Sequence, residues 1–426
     1  MNTSAGSTVP GDIYGGITTA VISLPMALTF GIVSGAGAIA GLYGAIVVGL
    51  FAAIFGGTRT LISEPTGPMT VTMTAVVAGT VAAHPEQGLA LAFTVVMLAG
   101  LFQIAFGVLK LGRYITLMPY SVISGFMSGI GVLLVITQLA PLLGQATPSG
   151  GAIGTLRSLP ELVASVRLPE LVLAGTSLAI LFLVPEKARR YAPPPLVAVI
   201  AGTVLSLLLP WTDQVRTIGS IPMGLPRLVL PRLTGALAPE LIVDALVLAV
   251  LGSIDSLLTS MIADSLTREQ HDSNRELIGQ GIGNLLSGLL GGLPGAGATM
   301  GTVVNIRSGA STGRAGIIRA VLLLAIVLAL APLLRVIPMA VLAAIAVKVG
   351  LDILDWSFIG RAHRISLSST LIMYAVLVVT VLVDLMVAVG VGVFVANILT
   401  IERLSNLPST RVTTIDPAGE TVLSPT

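Results

Sequence analysis

The stretch Ser63-Glu64-Pro65-Thr66-Gly67-Pro68-Met69-Thr70 interrupts an apolar chain with proline, glycine and small polar residues. Far downstream, Pro294-Gly295-Ala296-Gly297-Ala298-Thr299-Met300-Gly301-Thr302 does the same. Proline pushes the residue before it toward extended backbone, and glycine weakens a helix interior. Proline is tolerated, however, in a helix's first turn. Each stretch therefore predicts extended chain leading into a short helix.

Working outward, the two stretches prove to be matched in position. Of the 426 residues, 10% are charged and 54% hydrophobic, with a mean hydropathy of +0.99; a soluble domain carries about 25% charged residues. Runs of membrane-spanning length, about 20 residues each, recur from end to end. Breaking them at Pro, Gly and charge clusters gives about fourteen segments, with boundaries uncertain by several residues. They centre near residues 23, 48, 75, 99, 130, 176, 203, 250, 284, 304, 324, 344, 375 and 394. The two stretches open the third and the tenth, equivalent places in two halves of seven. Kinking of two packed helices alone does not predict that match. An odd-numbered repeat crosses the membrane in opposite senses in its two copies, so an inverted repeat with a midplane site is expected. The expected fold is thus an all-α polytopic membrane protein of two inverted seven-span repeats, residues 1–212 and 213–403. The third and tenth spans are its half-helices, and 404–426 is a tail.

With the N-terminus in the cytoplasm, sixteen of the 22 basic residues, Arg319 among them, fall in inner loops. The other six are Arg157, Arg167, Arg216, Arg227, Arg232 and Arg335. The positive-inside rule then puts both termini in the cytoplasm and the chain in the cell's inner (plasma) membrane. The apolar run from Ile13 lacks a basic leader and a clean cleavage site, so it reads as a retained helix. No basic face suits nucleic acid. There is no cysteine, and His84, His271 and His363 have no ligand spacing. Phosphate-loop, zinc-protease and nucleophile-elbow motifs are absent, so no enzyme is expected and the energy source is a gradient.

Two half-helix N-termini that face each other bring unpaired N–H groups and roughly +0.5 of an elementary charge apiece, which suits an anion. Asp255 lies deep in the eighth segment, where a carboxylate costs on the order of 2.5–3.5 kcal/mol, and it needs a partner. Thr259, four residues on, shares its helix face. A carboxylate, a hydroxyl and freed carbonyls form an oxygen-rich cage for Na+ or a proton. About +0.5 from each helix end against −1 from Asp255 leaves a near-neutral site, a balance that a cation and a monovalent anion preserve together. Glu64 is an accessory candidate, as a gate or a cation ligand. Asp264, Arg268, Glu269, His271, Asp272, Arg275 and Glu276 read as a solvated loop. Gly125, Gly129 and Gly131 read as packing sites, and at most one or two of Thr70, Thr72 and Thr74 face the site.

Over residues 10–405 the chain resembles the sulfate permease (SulP) family of anion transporters. The resemblance runs through Ala40-Gly41-Leu42-Tyr43 and the stretch from Gly283-Asn284 to Thr302-Val303-Val304-Asn305. Within that family it is most similar to the BicA-type sodium-dependent bicarbonate transporters of cyanobacteria. That likeness is carried by Leu61-Ile62 with the first stretch, Ile254-Asp255, Ala263-Asp264-Ser265-Leu266-Thr267, and Gly295 to Gly301. The resemblance implies a core domain, about 10–115 and 238–335, that moves against a gate domain, about 116–212 and 336–403. It implies bicarbonate at Thr66 and the Gly297, Ala298 and Thr299 backbone, with Na+ as coupling ion at Asp255, Thr259, Gly297 and Thr299. Many relatives have an arginine where this chain has Gly301, which fits Na+ in place of that charge. The family's cytoplasmic STAS domain is expected to be absent, leaving homodimer pairing to gate helices. Proton-coupled or exchange transport of another anion such as sulfate, nucleobase transport and an anion channel are the rival readings. A channel would want a continuous polar lining, whereas here the polar residues gather at one midplane spot.

Overall fold

The computed structural model describes residues 8–112, 120–148, 150–185, 193–208, 214–219, 226, 228–231, 238–360, 367–382, 410–415 and 421–425. Its first four helices are α1 (Thr8–Val33), α2 (Ala38–Phe55), α3 (Gly67–Ala83) and α4 (Gly88–Val108). Then come α5 (Tyr120–Leu142), the short α6 (Gly151–Arg157) and α7 (Leu159–Ala164), α8 (Leu168–Leu183) and α9 (Pro194–Leu208). The second half holds α10 (Ala238–Thr267), α11 (Ser273–Leu289), α12 (Thr299–Arg307), α13 (Arg314–Leu334), α14 (Met339–Ile353), α15 (Trp356–Ile359) and α16 (Leu367–Leu382). Every expected segment centre from 23 to 375 lies in one of these helices. The centre near 394 lies outside the described residues.

Strand β1 (Ser63–Glu64) pairs antiparallel with β2 (Ala296–Gly297), Ser63 opposite Gly297 and Glu64 opposite Ala296. Strands β3 (Thr410–Ile415) and β4 (Thr421–Pro425) form a second antiparallel pair within the expected tail. By length and composition, five described helices can cross a membrane: α1, α2, α4, α5 and α10. Four apolar helices are shorter, at Gly67–Ala83, Leu168–Leu183, Pro194–Leu208 and Thr370–Leu382.

Local sequence explains the helix ends. Gly35 and Gly37, both at positive φ, reverse the chain between α1 and α2. Pro68 occupies the first turn of α3, and Asp272 caps α11 by accepting from the Asn274 and Arg275 N–H groups at 3.0 Å. Where lipid is as apolar as leucine, helices associate through close contact at small residues. A side chain at Gly281 would lie 2.6 Å from the Gly100 carbonyl oxygen, so α4 and α11 meet through two glycines. On α5, Gly125 packs on the Met373 backbone of α16, Gly129 on Thr380, and Gly131 on the Gly350 carbonyl of α14. These three are packing positions, as their spacing predicted.

The helices pack as two groups. Helices α1–α4 and α10–α13 interlock around the β1–β2 pair, while α5, α8, α9, α14 and α16 pack on one another. Contacts between the groups run through α1 on α9 and α14, and through α3 on α5 and α14.

Candidate functional site

The short β ribbon sets the geometry. Its strands are antiparallel, and each is followed within three residues by a helix, α3 after β1 and α12 after β2. The positive ends of both helices therefore lie at the ribbon. Further bonds tie the two strands together: Ala298 N–H donates to the Ile62 carbonyl at 2.8 Å, and Ile62 N–H donates to Thr302 Oγ1 at 3.0 Å. Asn284 of α11 clamps Gly295 on both sides, accepting from its N–H at 2.8 Å and donating to its carbonyl at 3.0 Å.

Helix α10 carries the chemistry to this ribbon. Asp255, 8% exposed, accepts through Oδ2 from Thr66 Oγ1 at 2.7 Å. Thr66 stands at the N-cap of α3, yet its hydroxyl caps nothing there and points to the carboxylate instead. No donor among the described residues reaches Asp255 Oδ1. One turn on, Thr259 donates to the Gly297 carbonyl at 2.8 Å and lies 2.9 Å from Thr299 Oγ1. Its single proton is taken by Gly297, so Thr299 is the donor in that second bond. Between these two, Ser256 Oγ accepts from Gly297 N–H at 3.0 Å. Gly297 is buried, Ala298 half-buried and Thr299 exposed, so the site opens past Thr299.

The residues proposed from sequence thus converge: α10 joins Asp255 to the start of α3, and Thr259 to the start of α12. The oxygens gathered are the Asp255 carboxylate, the hydroxyls of Thr66, Ser256, Thr259 and Thr299, and the Gly297 carbonyl. Among the described residues no group of three or more His, Cys, Asp and Glu is clustered for a metal. An all-oxygen donor set with one formal charge suits a hard monovalent cation far better than a transition metal.

Glu64 is placed differently from a cation ligand. Its Oε2 lies 3.0 Å from Arg319 Nη2, and the Arg319 side chain is fully buried. This corrects the inner-loop assignment of Arg319, which lies within α13. The guanidinium also donates from Nη1 to the Ser63 carbonyl at 2.9 Å and from Nε to Ser23 at 2.9 Å, with Nη2 3.3 Å from the Ala45 carbonyl. A buried cation survives only when paired and hydrogen-bonded, and here three elements, α1, α2 and β1, supply its partners. Gly301 adjoins the same carboxylate: a Cβ there would sit 3.5 Å from Glu64 Oε1 and 3.0 Å from the Ile62 side chain. Thr70 is buried with its hydroxyl unpartnered, and Thr72 bonds back to the Pro68 carbonyl at 3.0 Å. Thr74 bonds to the Thr70 and Val33 carbonyls.

Glu276 is a second correction. Read as part of a solvated loop, it is 1% exposed in the first turn of α11. Its Oε2 accepts from the Gly57 and Thr58 N–H groups at 2.9 and 2.8 Å, and Oε1 accepts from Gln280 Nε2 at 2.8 Å. Gln280 Nε2 also reaches Ser63 Oγ at 2.5 Å, so Glu276 holds β1 through Gln280. Asp264, Glu269 and His271 of the same stretch line a cavity of about 320 Å³ beside Thr58 and Arg59. There His271 Nδ1 lies 2.6 Å from Asp264 Oδ2. An arginine five residues inside an apolar helix that opens with Arg314 was the available signal for Arg319. Nothing local marked Glu276.

Residues 9–376 match the model of the sulfate permease family. The bicarbonate transporter BicA of Picosynechococcus sp. is 60% identical over 418 residues, covering 97% of this chain and 74% of its own length. The solved transmembrane domain of a cyanobacterium bicarbonate transporter BicA superposes with a TM-score of 0.85 at 60% identity. That match covers 90% of this chain and 98% of the other. The murine Solute Carrier 26 family member A9 anion transporter, in its inward-facing state, is 21% identical with a TM-score of 0.84 over 97% of this chain and 72% of its own. At that identity the likeness supports the fold alone. A helical polytopic membrane protein with these relatives is a transporter rather than an enzyme, and the chain belongs to the sulfate permease family.

Proposed function

We propose that this transporter carries bicarbonate across the membrane in symport with Na+. The observation that carries the reading is that one helix, α10, bonds through Asp255 and Thr259 to the residues opening both short helices. Na+ sits among Asp255, Thr259, Thr299 and the Gly297 carbonyl. Bicarbonate lies between the positive N-termini of the two helices, at Thr66 and the Gly297–Thr299 backbone. Each ligand screens the other's charge in a site that is near neutral when empty, so each binds more tightly when the other is present. That differential affinity is the coupling free energy.

In this reading α3 and α12 are the half-helices of two inverted repeats, 1–212 and 213–403, with fourteen spans in all. The group holding the ribbon is the core domain and the other group the gate domain. Core moves against gate by an elevator-like alternating-access motion that keeps the site intact. The chain sits in the inner membrane with both termini cytoplasmic, and any homodimer forms through gate helices.

The test is uptake of 14C-labelled inorganic carbon by proteoliposomes, with and without an inward Na+ gradient, at fixed pH and clamped potential. Uptake that requires Na+ supports the symport. Uptake indifferent to Na+ but driven by a pH gradient or by a counter-anion replaces it with proton coupling or exchange at Asp255.

A further inference from the structure

A second cavity, of about 230 Å³, lies between α1, α5 and α14, away from Asp255. Thr29 from α1, Gln138 from α5, Arg216 and Met339 are among the residues that line it. It sits at the C-terminal end of α1, whereas the cavity beside His271 sits past the C-terminal end of α2. A tight turn joins α1 to an antiparallel α2, so the two cavities open toward opposite ends of the helices. A water molecule takes up about 30 Å³ in the liquid, so the volume accommodates a small anion with part of its hydration shell.

We infer that this cavity is a second anion site, a vestibule that recruits a small monovalent anion before it reaches the Asp255 site.

Three unsatisfied hydrogen-bonding groups converge on the cavity. Thr29 is fully buried and its Oγ1 has no partner. Gln138 is buried, and its amide makes no hydrogen bond to a described residue. Arg216 Nη2 is buried and likewise unpartnered. Buried polar groups are almost always satisfied, so the two buried atoms in this lining that are not, Thr29 Oγ1 and Arg216 Nη2, point to a ligand in the cavity. Among the described residues of the lining, Arg216 is the only charged one. Its Nε lies 3.0 Å from Oε1 of the fully buried Glu170, which also accepts from the Arg216 N–H at 3.2 Å. Glu170 therefore anchors the guanidinium through Oε1 on Nε; Arg216 Nη2, whose residue lines the cavity, and Glu170 Oε2, whose residue is not in the lining, both stay without a partner among the described residues. The Arg216 carbonyl accepts from Met339 N–H at 2.8 Å, which holds this segment at the positive N-terminus of α14.

With Glu170 neutralising Arg216, an anion here is held by donors and a helix end rather than by a full unpaired charge. Such a site fills readily and empties readily, as a vestibule requires. Its place is where the α1 group meets the α5 and α14 group, along the boundary that a transported anion must pass. The recruiting role rests on the transport reading above; the anion site itself does not.

The experiment is the double variant Thr29→Val, Gln138→Leu, which removes two of the three unsatisfied groups with little change in volume. In proteoliposomes the half-saturation concentration for bicarbonate is expected to rise about three- to tenfold, the value of one or two hydrogen bonds. The change is confined to that constant, and the Na+ half-saturation stays put. An unchanged bicarbonate constant in a double variant that elutes as the wild type does, or a loss of maximal rate alone, overturns the proposal. Gln138→Glu places a carboxylate beside Arg216 and should raise the constant further, so it serves if the double variant does not fold. A second readout needs no transport: the melting midpoint of the purified chain in Na+-free potassium bicarbonate against potassium gluconate. Stabilisation by bicarbonate kept in Asp255→Asn and lost in the double variant supports the vestibule even if the wild type proves to carry another solute. Equal stabilisation of wild type and double variant refutes it.

Discussion

Two buried charges, Asp255 and Arg319, are handled in opposite ways. Arg319 has its guanidinium satisfied by Glu64, two carbonyls and Ser23, and it locks β1 in place. Among the described residues Asp255 has one hydroxyl partner, on Oδ2, and none on Oδ1, which leaves it available to an incoming cation. Asp255→Asn preserves the shape and still accepts from Thr66, so it should fold as the wild type does while losing Na+-dependent uptake. Near-normal Na+-driven uptake by the variant would remove Asp255 from the coupling. Arg319→Met strands Glu64 in the interior, and breaking a buried pair costs about 3–5 kcal/mol. Glu64→Gln with Arg319→Met leaves no unpaired charge and should recover most of that loss in melting midpoint. If the double variant melts no higher than the single one, the pair is not what stabilises the ribbon. Asp255 was legible in the sequence because a carboxylate in an apolar run is conspicuous by itself. Arg319 was misread as a loop residue because its partner lies 255 positions away.

Among the elements, α3 and α12 start where their sequences require. Extended residues precede both, and Pro68 occupies a turn where its missing N–H costs nothing. Their shared origin at one ribbon is held by α11, through Gln280 on Ser63 and Asn284 on Gly295. Helix α11 in turn seats on α4 by glycine contacts that admit no side chain. Gly281→Leu would force the two backbones apart, and overpacking costs about 1–3 kcal/mol or more; the expected result is a clear drop in melting midpoint together with weaker uptake. Gly79, exposed on α3 with open space around it, is the control. Gly79→Ala should leave the midpoint unchanged or raise it, since alanine favours a helix interior over glycine by up to about 1 kcal/mol. Equal effects of the two substitutions would show that the α4–α11 contact is not specially tight.

At the scale of the whole molecule, two helix groups meet along limited contacts, and the candidate site belongs wholly to one of them. On the proposed elevator-like motion the site is carried intact, and its stoichiometry is the same throughout the cycle. For one Na+ per bicarbonate, transport is electroneutral, so each tenfold Na+ gradient, about 1.4 kcal/mol, supports at most tenfold accumulation. The check is the steady-state ratio of labelled bicarbonate at several imposed gradients; a ratio steeper than the gradient, or one that follows the clamped potential, means more than one Na+ per cycle. Sequence by itself determined the membrane setting, the segment centres from 23 to 375, the starts of the two short helices, and Asp255 with Thr259 one turn on as a candidate pair; Thr66 and Gly297–Thr299 entered as candidates through the family resemblance. Those signals are local: hydropathy, the backbone limits of proline and glycine, and the cost of an isolated carboxylate are each written within a few residues. Only the tertiary structure decided that Glu64 belongs to Arg319, that Glu276 is buried against Gly57 and Thr58, and that Thr29, Gln138 and Arg216 surround one cavity. The physical reason is that a buried charge or donor is defined by what surrounds it, and here the surroundings come from helices far apart in the chain.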